Sequence, residues 1–385
     1  MIIRNSNILI SSVAYICFMM LFFNCSKEVK TNNNSIKDLK IIGYVAGYED
    51  YDPSLIAAEK LTHINYAFAN IVEGKPKFEL DTDSLKISKL IALKKVNPNL
   101  KVLYSVGGWV WSNEFSHTAA YPESRKQFAI SAVELMKKHR FDGVDLDWEF
   151  PGQRGEDNDF RPSDKENFTL LLAEVRKQLE KEGKKDNTHY LLTIATGADQ
   201  AYIDNTNLGK AHKYLDFINV MCYDFYHGWY YQTGHHANLY PSEKEKFNGN
   251  SGQKAIDRHL KEGVPPNKLI MGIPFYGRKW EKVILENEGL YQTAMTTGVI
   301  VPFWEIVEKI KSGNYKKGYD NSAKASYLWS VTDSIFISWE TPKEIKFKTK
   351  YIKENNLGGA MFWEYSLDKD QKLLNTLFEN INEVK

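Results

Sequence analysis

Cysteine is scarce in this chain. Three in 385 residues cannot build a disulfide framework. Cys25 and Cys222, the two cysteines outside the N-terminal apolar run, and nine histidines with no His-Glu-x-x-His spacing make no zinc site. His235 and His236 are adjacent, and adjacent residues rarely ligate one metal. No metal is expected. A charge excess is missing too. Fifty Lys plus Arg face 49 Asp plus Glu, a net charge of +1. That balance speaks against a nucleic-acid partner and against a membrane held by surface charge. No apolar run is followed by Gly-x-Gly-x-x-Gly, the turn of dinucleotide-binding open sheets, and no cofactor is expected.

Long apolar runs are confined to the N-terminus. Residues 8–23 form one after Arg4, short for a membrane span and suited to a secretory leader. It contains Cys17 and ends at Phe22-Phe23-Asn24-Cys25-Ser26-Lys27-Glu28. A Cys directly after such a run resembles a bacterial lipoprotein cleavage site. Residues 1–24 are therefore expected to be a signal segment, Cys25 a lipidation site, and residues 25–38, rich in Lys, Asn and Ser, a flexible tether. The protein is expected to be exported as an outer-membrane or cell-surface lipoprotein, otherwise secreted. The lipid is its one expected membrane contact. Cys222 is then a small buried side chain.

What the chain has in abundance is aromatic residues: 9 Trp, 22 Tyr and 20 Phe. These suit a core, and they suit stacking on flat, weakly charged ligands. Short apolar runs recur at residues 41–48, 62–69, 101–108, 143–150, 190–196, 215–223, 269–276 and 358–363. Helical patterns lie between them. In residues 163–179, Phe168, Leu171, Leu172, Val175 and Leu179 share one face, and Ser163 with Glu166 predicts a capping box. After Pro122, Phe128, Ala132, Leu135 and Met136 mark another. Strands alternating with helices predict a parallel sheet, and eight such units a closed (β/α)8 barrel, an α/β fold built from 39–277 and 339–385. The interval 278–338 is too long for one crossover and predicts a small α+β insertion between strands 7 and 8.

The chemistry gathers in Phe141-Asp142-Gly143-Val144-Asp145-Leu146-Asp147-Trp148-Glu149-Phe150-Pro151. In a strand, Val144, Leu146 and Trp148 share one face, and Asp145, Asp147 and Glu149 the other. Three carboxylates stacked in an apolar run repel and push at least one pKa upward. Such clusters mark sites that use a protonated acid near neutrality. Calcium loops instead separate their acids with small polar residues and a glycine. Barrel sites lie at the carboxyl ends of strands, which makes Glu149 the general acid by position, Asp147 its neighbour, Asp145 one layer deeper and Asp142 structural.

This motif closely resembles the Asp-x-x-Asp-x-Asp-x-Glu motif of glycoside hydrolase family 18, the chitinases and their relatives. The resemblance extends over about residues 39–368. It implies that Glu149 protonates the glycosidic oxygen and that the substrate's own acetamido group is the nucleophile, with retention of configuration through an oxazolinium ion. Asp147 would orient that group, and Asp145 would share its charge. Met221-Cys222-Tyr223-Asp224 is similar to the family's Met-x-Tyr-Asp, which implies acetamido contacts from Tyr223 and Asp224. Ser105-Val106-Gly107-Gly108-Trp109 is similar to Ser-x-Gly-Gly, with Gly108 admitting close approach of substrate and Ser105 supporting Asp145. Trp363 would floor the cleaved sugar, with Tyr44 and Phe68 lining the same pocket. Met221, Tyr276 and Arg278 fit substrate contacts, as does His227-Gly228-Trp229. Trp109, Trp111 and Trp229 would serve outer sugars. The insertion resembles one that walls the substrate groove in a large branch of the family. The implied partners are chitin or N-acetylglucosamine oligosaccharides, and the chain is expected to act as a monomer. An endo-β-N-acetylglucosaminidase on N-glycans and a sugar-binding lectin remain alternatives.

Overall fold

The structure, a computed structural model, describes residues 39–247 and 249–383. The expected signal segment with Cys17, the lipidation candidate Cys25 and the tether lie outside the described residues.

Each apolar run of the sequence becomes one strand. They are β1 (Lys40–Ala46), β2 (His63–Val72) with a short antiparallel partner β3 (Lys75–Lys77), β4 (Lys101–Gly107), β5 (Gly143–Asp147), β6 (Leu191–Thr196), β7 (Phe217–Val220) and β8 (Leu269–Pro274). A second sheet intervenes in the chain, made of β9 (Tyr276–Trp280), β10 (Val299–Pro302), β11 (Lys316–Asp320), β12 (Ala325–Ser330) and β13 (Ile335–Trp339). β14 (Gly359–Trp363) then returns to the first. β1 pairs in parallel with both β14 and β2, so the sheet closes on itself. The fold is the (β/α)8 barrel that the alternation predicted.

Period-two alternation sets both faces of the barrel wall. Val144 and Leu146 on β5, and Trp148 just past its end, join the large outer core. Trp148 stacks on Phe115 at 5.2 Å and meets Phe168 edge-on at 5.5 Å. Phe168 belongs to the helix Asp164–Asp186, which buries Leu171, Leu172, Val175 and Leu179 against the sheet. Each such side chain contributes about 1.5–3 kcal/mol by leaving water. Inside the barrel a smaller cluster of Ile42, Tyr44, Ala67, Phe217, Ile270 and Met361 fills the space. The parallel register sets Ser105 beside Asp145 and Asp145 beside Thr193, one row across three strands.

Local details depart from expectation in three places. The Ser163–Glu166 capping box does not form. The buried Asp164 carboxylate instead accepts from Ser116 Oγ at 2.7 and 2.9 Å and from Arg161 N–H at 2.8 Å. A carboxylate with those donors organises the helix start better than a serine hydroxyl can. Strand β5 ends at Asp147, so Glu149 lies past the strand. β8 ends at Pro274, and Tyr276 to Arg278 open the second sheet rather than closing the seventh barrel strand. That sheet is antiparallel in the order β10-β9-β13-β12-β11 and carries the helix Phe303–Lys311.

Candidate active site

The carboxyl ends of the barrel strands surround a cavity of about 830 Å³. Asp147, Glu149, Tyr223, Asp224, Met221 and Trp363 all line it. So do Tyr44, Phe68, Trp109, Trp111, Trp229, Tyr276 and Arg278. Residues predicted from seven separate stretches of sequence thus meet at one mouth.

Asp145 lies below, fully buried. Tyr44 Oη and Ser105 Oγ each donate to its Oδ2 at 2.7 Å, and Thr193 Oγ1 donates to Oδ1 at 2.5 Å. Burial raises its pKa, and these donors pull it back part of the way. Asp147, two residues on, faces the same side with no such support. Its buried Oδ1 has no hydrogen-bond partner among the described residues. Burial, then Glu149, then Asp145 push its carboxyl well above the ordinary range. Glu149 is half-buried on the cavity wall, and loss of water contact, then Asp224, push it up to about 8. Two close carboxyls in that state hold a proton between them near neutrality.

Asp224 is the opposite case. Burial alone would raise it, but the Arg278 guanidinium and the His236 ring bring it far below the usual carboxylate range. Arg278 grips it through both oxygens, Nε to Oδ1 at 2.8 Å and a terminal nitrogen to Oδ2 at 2.6 Å. Planar bidentate pairing of this kind keeps the carboxylate ionised. Tyr223 stays protonated because burial, Asp147 and Glu149 raise its pKa. Its hydroxyl reaches Met361 Sδ at 4.0 Å, a weak contact. The floor is aromatic: Phe68 stacks on Trp363 at 5.5 Å, and Tyr44 tilts against it at 5.6 Å.

Some expected residues take other places. Gly108 is not part of the cavity lining, and Gly107 is. Gly108 lies under the Phe68 ring, where an added Cβ would come within 2.6 Å of it, and its N–H donates to the Asp147 carbonyl at 2.8 Å. Asp142 stands at the far end of β5, accepting from Val102 N–H at 2.7 Å and pairing with Lys94 at 2.6 Å.

Sequence reasoning did not single out several residues that shape the site. Ser112 Oγ donates to the carbonyls of Gly108 and Asp147 at 2.8 and 3.1 Å and accepts from Glu149 N–H at 2.9 Å. It takes over where the strand ladder stops. Asn158 Nδ2 donates to the Glu149 carbonyl at 2.9 Å. Thr193 donates to Asp145, and the His236 ring stands 3.6 Å from Asp224. A lone Ser, Asn or His in a loop has no periodic signal. Thr193 alone was findable, since its strand register faces Asp145.

Comparison with known proteins agrees with this geometry. The family model described as Glycosyl hydrolases family 18 matches residues 40–368. Chitinase A1 of Niallia circulans is 37% identical over 407 residues, covering 88% of this chain. The chain spans 58% of that relative's length. Chitinase 1 of Aphanocladium album is 32% identical, with 83% of this chain and 78% of that one covered. A solved structure described as a novel glycoside hydrolase family 18 N-acetylglucosaminidase from Paenibacillus barengoltzii has a TM-score of 0.82 at 38% identity. It covers 89% of this chain and 99% of its own. The match over almost all of the described residues, with the acid motif at the mouth of the barrel, places this chain in glycosyl hydrolases family 18.

Proposed function

We propose that this chain is a chitinase that hydrolyses β-1,4 linkages between N-acetylglucosamine units with retention, using the substrate's acetamido group as nucleophile. One observation carries the reading: the buried, unpartnered Oδ1 of Asp147 beside a raised Glu149, above the Trp363 floor. A buried acceptor without a donor is costly, and an acetamido N–H supplies that donor. Glu149 gives its proton to the leaving oxygen. Asp147 accepts from the acetamido nitrogen as it turns positive, and Asp145 spreads the charge. Tyr223 donates to the acetamido oxygen and aims it at the anomeric carbon, where small misplacements cost much rate. The chitinases among the relatives support the substrate class. A lectin would not require Glu149 on the cavity wall.

The test uses chitin oligomers and matched oligomers lacking the acetyl group on the cleaved sugar. Cleavage of the first alone, β-anomeric products before mutarotation, and inhibition by a thiazoline analogue of the cyclised sugar are expected. Early α-anomer, or a covalent sugar on Asp147, overturns the mechanism. On the sequence alone, we further propose lipidation at Cys25. Wild-type protein should partition into detergent, and Cys25→Ala should release it. A free wild-type protein starting at another residue ends that proposal.

A further inference from the structure

The loop after Glu149 is fastened to the backbone of the acid itself. Asn158 accepts from Gly155 N–H at 2.8 Å and donates to the Glu149 carbonyl at 2.9 Å. An added Cβ on Gly155 would fall 2.0 Å from that carbonyl oxygen, so the two backbones touch. Between these anchors and the strand end stands Arg154, on the cavity wall. Its guanidinium carbon lies 5.7 Å from the centre of the Trp229 ring, within cation–π range. Trp229 reaches Trp109 at 5.2 Å, so one ring surface links the loops after β4, β5 and β7.

The charges around this surface are uneven. Arg278, the other arginine of the lining, is committed to Asp224. Arg154 forms no hydrogen bond or ion pair among the described residues. Burial lowers the pKa of His227, whose ring lies 5.5 Å from Trp229. Asp199, also on the wall, accepts from Tyr202 N–H at 2.8 Å. An exposed arginine with no ion-pair partner among the described residues therefore lies against an aromatic ring, with Asp199 elsewhere on the same wall.

We infer that Arg154 on Trp229 sets the charge specificity of the sugar held on that ring, accepting neutral N-acetylglucosamine and disfavouring protonated glucosamine. The inference rests on the proposed activity for its substrate class, and it concerns a sugar other than the one cleaved. A single unit charge a few ångströms from a cation at an aqueous surface changes affinity by about three- to tenfold.

The test uses oligomers carrying one glucosamine, placed at each position in turn, with wild-type protein and the Arg154→Gln and Arg154→Glu variants. Both kcat/KM and the dissociation constant in a Glu149→Gln background are read at mildly acidic pH. At one position away from the cleaved sugar, the wild type should disfavour glucosamine about three- to tenfold. Arg154→Gln should erase that ratio and Arg154→Glu should reverse it. High salt should compress the wild-type ratio and leave that of Arg154→Gln unchanged, which a merely structural role would not produce. Equal ratios in wild type and Arg154→Gln at every such position, or a salt-independent ratio, overturn the inference. If acetylated oligomers bind but are not cut, the proposed function fails while the binding ratios still decide on Arg154.

Discussion

Asp145 and Asp147 are two residues apart on one strand face, and their surroundings are opposite. Asp145 is saturated by hydroxyls from Tyr44, Ser105 and Thr193. Asp147 is buried with an open oxygen. Both carboxyls are raised, and Asp147 the more strongly. The register of three neighbouring strands builds the first environment. The end of the strand creates the second, because there Asp147 is paired with Gly107 of β4, which has no side chain to donate. The lower layer is solved by the fold alone. The upper one is left for a ligand to complete.

The largest effect that tests this contrast is on turnover. Glu149→Gln should lower kcat by about 10²–10⁴-fold, the usual range for general acid catalysis, while oligosaccharide binding persists by calorimetry. Asp147→Asn should cost a comparable factor. The double variant should be little worse than the poorer single one, because groups acting as a unit are not additive. Losses that multiply would mean that the two carboxyls act separately.

Stability should move in opposite directions for the two layers. Thr193→Val removes a donor from buried Asp145 and should destabilise by about 1–3 kcal/mol in urea unfolding. Asp147→Asn removes an unsupported buried carboxyl and should stabilise. The sign with pH follows. A carboxyl raised in the native state binds more protons there than in the unfolded chain. Its stabilising contribution is therefore present at low pH and is lost as pH rises from the ordinary carboxylate range through the raised native value. Asp147→Asn should flatten that fall. Destabilisation by both variants would erase the distinction between the layers.

The sequence makes one side of this contrast readable. Inward and outward faces of β5 follow from alternation, and the eight strands follow from eight apolar runs. Asp145, Asp147 and Glu149 are thereby placed on one wall. What alternation cannot give is where pairing stops. The end of β5 at Asp147 depends on Ser112, whose hydroxyl meets Glu149 N–H from 37 residues away. The grip of Arg278 on Asp224 spans 54 residues and depends on β9 belonging to a different sheet. The Ser163 capping box failed because Asp164 found donors in Ser116, on another element. Local patterns name the residues, and long-range polar contacts decide their roles.

The smallest expected effect is a shift in pH profile, and it tests whether the upper layer is tuned from outside. Glu149 is raised first by burial and then by Asp224. Under the proposed mechanism it acts protonated, so activity should fall as pH rises through its pKa of about 8. Asp224→Asn removes the negative charge and leaves Arg278 without its partner nearby. Both changes favour the ionised form of Glu149. The alkaline limb of kcat/KM should therefore move down by about one pH unit. Some loss at the optimum is expected too, since Asp224 lines the site. The limb rather than the maximum is the diagnostic quantity, because weaker substrate binding by itself scales the profile without moving it. An unmoved limb would show that burial by itself sets the acid, and that Arg278 and Asp224 act only in holding substrate.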